Sequence, residues 1–78
     1  MITAEVAVYP LKTSHATNVI NNSINTLNGT NVQYSVNSMS TLITGTKSEV
    51  FNSIEAMFNE AESGGEVSMV VTFSNACD

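Results

Sequence analysis

Arginine and tryptophan are absent from this 78-residue chain, and cysteine, proline and histidine occur once each. Lys12 and Lys47 are its only basic side chains apart from His15, against seven acidic ones, so the formal net charge is −5. Two isolated cations cannot assemble the basic patch that follows a phosphate backbone, which excludes nucleic acid as a partner. A lone Cys77 makes no internal disulfide and no cysteine-based zinc site. No apolar run approaches the ~18 residues of a membrane span, so no membrane partner is expected. The opening Met1-Ile2-Thr3-Ala4-Glu5 carries an acid and no basic group, unlike a secretory signal. A cytoplasmic location is the corresponding expectation.

What is present is neutral and polar. Asn, Ser and Thr supply 29 of the 78 residues, yet 42% of the chain is hydrophobic, too much for a disordered tract. This length accommodates one domain, residues 1–78, with a single small core.

The hydrophobic period changes along the chain. Residues 2–9 alternate, with Ile2, Ala4, Val6 and Val8 on one side, and predict a strand that ends near Pro10. Residues 14–28 place Ala16, Val19, Ile20, Ile24 and Leu27 on one helical stripe, with Thr13 or Ser14 as the cap and Gly29 beyond the end. Four asparagines make this helix weak by propensity, so packing has to hold it. Residues 31–44 read as two strands turning at Asn37-Ser38. Residues 46–62 predict the strongest helix. Its face carries Val50, Phe51, Ile54, Met57, Phe58 and Ala61, its start is a Thr46–Glu49 capping box, and Gly64-Gly65 stop it. Residues 66–74 alternate again, with Val67, Met69, Val71 and Phe73 on one side. Met39, Met57 and Met69 read as core filler.

The order strand, helix, strand, strand, helix, strand predicts an α+β, ferredoxin-like split βαβ sandwich: a four-stranded antiparallel sheet with two helices on one face. Its other face would carry Ala7, Tyr9, Leu42 and Val70 among hydroxyls, a surface open to a second copy or a ligand.

Catalytic chemistry is not visible. His15 has no acid or nucleophile assignable by spacing, Cys77 no basic neighbour, and the glutamates no acid–base pairing. No metal-ligand pattern and no cofactor motif is found, so an enzyme is not expected. Neutral hydrogen-bonding groups remain: Thr13 and Ser14 after the first strand, Ser40 and Thr41 at the third, Asn75 after the fourth. Small-molecule pockets pair such groups with an apolar lining.

Several stretches together resemble one family. They are Glu5-Val6-Ala7-Val8-Tyr9-Pro10-Leu11, the run from Tyr34 to Gly45 with its Tyr, Met and Thr before Ile-x-Gly, Glu49-Val50-Phe51-Asn52-Ser53-Ile54, and Val70-Val71-Thr72. In this order and spacing the chain resembles the thiamine-binding protein family, small stand-alone relatives of two-domain thiamine and hydroxymethylpyrimidine binders. The resemblance implies a ferredoxin-like domain that forms homodimers or homotetramers and binds thiamine or its pyrimidine without catalysis. It implies a binding zone of Thr13, Ser14, Met39, Ser40 and Thr41. This chain departs from the family in its few basic residues and its short tail. The alternative is an oligomeric structural or regulatory interaction domain with no small-molecule ligand.

Overall fold

A computed structural model describes residues 1–76; Cys77, whose thiol has no basic neighbour in the sequence, lies outside the described residues. The elements are β1 (Ile2–Pro10), α1 (Ala16–Asn25), β2 (Gln33–Val36), β3 (Thr41–Gly45), α2 (Lys47–Ser63) and β4 (Val67–Ser74). The sheet order is β2-β3-β1-β4, with every neighbouring pair antiparallel. Both helices cover one face, which is the ferredoxin-like arrangement expected from the element order.

Strand alternation sets that face. Ala4 and Val6 are fully buried, while Ile2 and Val8 pack at the margin of the same core. Opposite Ala4 on β3 stands Ile43, also fully buried. Leu27, Val32, Val50 and Met57 close the cluster from the helical layer and its connections.

The two helices meet through small groups. Ser23 is completely buried, and its hydroxyl donates to the Met57 carbonyl at 2.6 Å. α2 turns Val50, Ile54, Met57 and Ala61 of its sequence stripe to the core and leaves Phe51 and Phe58 on its flank. The buried positions of α2 are Val50, Ser53, Met57 and Ala61. Phe51 and Phe58, expected in the core, are 46% and 36% exposed. The reason is steric. Ser53 and Ala61 fit where the helix lies closest to its neighbours, and the larger rings are displaced to the flank. Phe51 there stacks on Phe73 of β4, with ring centroids 4.4 Å apart and planes 4° from parallel.

Helix α1 is shorter than its stripe. His15, not Thr13 or Ser14, occupies the N-cap, with no side-chain cap bond. Thr13 instead accepts the His15 N–H at 3.0 Å, just ahead of the helix. After Asn25 the backbone tightens into turns joining residues three apart, and Gly29 ends them at φ +81°, a left-handed conformation that glycine adopts without steric cost. The turn between β2 and β3 spans residues 37–40, closed by Asn37 N–H donating to the Ser40 carbonyl at 2.8 Å. That places Met39 on an outer corner, 80% exposed, and corrects its reading as core filler.

The capping box of α2 forms as expected. Glu49 N–H donates to Thr46 Oγ1 at 3.2 Å, and Thr46 N–H donates back to Glu49 Oε1 at 3.1 Å. Thr46→Ala should cost about 1 kcal/mol in urea unfolding. The Thr46 backbone bond first, then its hydroxyl, hold the Glu49 carboxyl below its ordinary 4.5. A lowered folded-state value adds stability above pH 4.5 that is lost as the pH falls through the lowered value. Glu49→Gln should therefore flatten this part of the acid-unfolding profile, measured as midpoint denaturant against pH.

Candidate functional site

The central strand is longer than one of its neighbours. β1 pairs with β4 from Thr3 to Pro10, but with β3 only from Ile2 to Val6. From Ala7 to Pro10, the side of β1 facing β3 therefore has no strand beside it. The pleat turns Ala7 and Tyr9 toward β4, as Leu11 N–H donating to the Glu66 carbonyl shows, so along this edge the Val8 N–H and C=O and the Pro10 C=O face a notch bordered by the 37–40 turn.

Two clefts meet at the notch. On the helical side a cleft of about 300 Å³ is floored by Val6, Val8 and Thr41, walled by Ile20, Asn21 and Ile24 of α1, and bounded by Val36 and the turn. It exists because α1 is short and rests on β1, leaving the same face of β2 uncovered. Val36 pairs with Thr41 and so shares its face, yet Val36 is 54% exposed while Thr41 is buried. On the open sheet face a second hollow of about 240 Å³ is lined by Glu5, Ala7, Tyr9, Met39, Ser40, Val70 and Thr72. Ala7, Tyr9, Met39 and Ser40 border both.

The hydrogen-bonding chemistry of the notch is neutral apart from Glu5. Ser40 Oγ donates to Glu5 Oε2 at 3.0 Å. Among the described residues no group of three His, Cys, Asp or Glu side chains could hold a metal. His15 is exposed at the start of α1, away from either lining.

Of the residues singled out from the sequence, Met39, Ser40 and Thr41 come together at the notch. Thr13 and Ser14 follow β1 at the same end of the sheet but line neither cleft. Asn75 lies at the opposite end, because Ser74 pairs with Thr3. Sequence reasoning missed Glu5, Tyr9, Asn21 and Val36 as lining residues. Alternation does put Tyr9 and Glu5 on the open face, but only the unequal strand lengths bring them beside the turn.

Fold and notch together define a small α+β sandwich of the ferredoxin-like class with a cleft at one end of its sheet. The chain belongs to the YKOF-related family, whose profile it matches over residues 1–78. No curated protein matches it. A protein of Streptococcus pneumoniae of solved structure is similar at TM-score 0.87 and 20% identity, covering 94% of this chain and 83% of the other. A domain of unknown function from Bacillus cereus is similar at TM-score 0.83 and 20% identity, over 94% and 73%. The "putative thiamine biosynthesis/salvage protein" of Thermotoga maritima is similar at TM-score 0.82 and 16% identity, over 94% and 81%. At these identities the likeness is one of fold.

Proposed function

We propose that this protein is a non-catalytic small-molecule binder that takes thiamine, or its hydroxymethylpyrimidine part, in the notch. The observation that carries this reading is the free edge of β1 from Ala7 to Pro10 beside an apolar cleft of about 300 Å³. An aminopyrimidine is a flat ring with adjacent hydrogen-bond donors and acceptors, the complement of a strand edge. Val6, Val8, Ile20 and Ile24 supply apolar contact for its faces, and Asn21, Ser40 and Thr41 supply neutral polar groups. The description of the Thermotoga relative and the family resemblance point the same way. In this reading the Ser40–Glu5 pair serves to place the carboxylate, and the site binds its ligand unchanged.

Calorimetric titration tests the reading. Thiamine or hydroxymethylpyrimidine should give saturable heat. Asn21→Trp alters an exposed position on the cleft wall and should weaken binding by about tenfold or more while the thermal melt is unchanged. Absence of heat at millimolar ligand would reject it.

A second reading makes the open sheet face a contact between copies in a homodimer or homotetramer. It is favoured by Tyr9, Leu42 and Val70, which are 49%, 36% and 58% exposed on that face. Sedimentation over a concentration range tests it.

A further inference from the structure

The open sheet face is neutral except at one point. The registers place Thr3, Glu5, Ala7 and Tyr9 of β1 on it, with Leu42 and Thr44 of β3, Gln33 and Ser35 of β2, and Ser68, Val70, Thr72 and Ser74 of β4. Glu5 is the only ionisable carboxyl among these strand residues. It stands on the central strand, flanked by Leu42 on one side and Thr72 on the other. The Ser40 hydroxyl bonds its Oε2 at 3.0 Å and turns the carboxylate toward the notch. Tyr9 projects from the same face of the same strand and lines the same hollow.

We infer that Glu5 and Tyr9 form a cation-accepting subsite, which takes the positively charged ring of a ligand whose neutral ring lies in the helix-side cleft. This rests on the function proposed above and adds how the site selects charge. A hollow with a carboxylate at one end and an aromatic ring at the other, about 13 Å apart along β1 by their backbone positions and separated by Ala7 with Val70 and Met39 alongside, suits a weakly hydrated organic cation lying between them. Because Ala7, Tyr9, Met39 and Ser40 border both clefts, a two-ring ligand can pass through the notch and touch each. The net charge of −5 favours the same sign of ligand.

A second copy of the chain covering this hollow would have to bring a counter-charge to Glu5. A neutral surface docked on it would bury the Glu5 carboxylate without a counter-charge, which is costly. The described side-chain cations are poorly placed to provide one. Lys12 is paired with Glu66 at 3.3 Å, and Lys47 and His15 sit at the starts of the two helices, on the other side of the sheet.

The experiment compares thiamine, which carries the cationic ring, with hydroxymethylpyrimidine, which lacks it, on the wild type, Glu5→Gln and Ser40→Ala. Glu5→Gln keeps the shape and removes the charge at an exposed position, so the melt should not change. Its affinity for thiamine should fall about three- to tenfold, and its affinity for hydroxymethylpyrimidine should stay within about twofold. Ser40→Ala keeps the charge, loses its orientation and, because Ser40 also borders the helix-side cleft, should weaken both ligands, thiamine the more. No change for either ligand, or equal losses for both, overturns the subsite and leaves the notch reading standing. A wild type that binds neither ligand overturns the notch reading and the subsite with it.

Discussion

Met57→Ala should lower the free energy of unfolding by about 3 kcal/mol, and Phe51→Ala by only about 1.5 kcal/mol, although phenylalanine is the larger side chain. Met57 is fully buried at the junction of both helices and the sheet, so its loss leaves a void that the surrounding Ile43, Val50 and Leu27 cannot close. Phe51 is 46% exposed, and its removal forfeits partial burial and the stacking on Phe73. A chain of this length has a total stability of only about 4–12 kcal/mol. The methionine variant should therefore show a visible unfolded fraction in modest urea, and the phenylalanine variant should not. Equal losses would mean that α2 presents its aromatic face to the core after all.

Ser23→Leu should be as damaging as the methionine truncation, at about 3 kcal/mol, through overpacking. Ser23 is completely buried between the helices, and the branched side chain would have to push α1 off α2. Ser23→Ala separates size from hydrogen bonding. It removes the donor to the Met57 carbonyl, leaves no buried donor unpaired and should cost about 1 kcal/mol. Thermal melts distinguish the two, since about 4–8 °C of Tm accompanies each kcal/mol in a domain of this size. A leucine variant that melts with the alanine variant would show that the helices have slack between them.

These two variants mark where periodicity stops being informative. Helical spacing in α2 identified a broad apolar face, but Phe51, Ile54 and Phe58 share that face with Val50, Met57 and Ala61. Which half of it touches the sheet depends on how closely α1 approaches. That approach is allowed by Ser23, while Ser53 is buried beside the segment before β2; hydropathy assigns both to the surface. Their hydroxyls are satisfied within the helical layer, Ser23 by the Met57 carbonyl and Ser53 by the Glu49 carbonyl at 2.8 Å. A buried serine of this kind leaves no hydrophobic signal. Met39 failed for the opposite reason. An apolar residue two positions before β3 reads as core by hydropathy, but the 37–40 turn holds it outside the sheet.

The candidate site was legible only in part. Ser40 and Thr41 stood out as hydroxyls at a strand start, and Met39 entered through the family resemblance. Glu5 was visible as a charge in an otherwise apolar strand but had no assigned role. Its place in the cation subsite depends on Ser40, 35 positions away in the chain, reaching its carboxylate.

By itself the sequence determined what is local: the alternation that makes β1 and β4, the Thr46–Glu49 start of α2, the Gly64 stop, and an element order compatible with one four-stranded topology. These follow from backbone sterics and from the need to bury one face of each element, and both are written into successive residues. Tertiary structure alone decided the rotation of α2, the burial of Ser23 and the notch beside β1. Each of these arises from the fit between segments distant in the chain, where the shape of one surface sets which groups of another are covered and which remain free to meet a ligand.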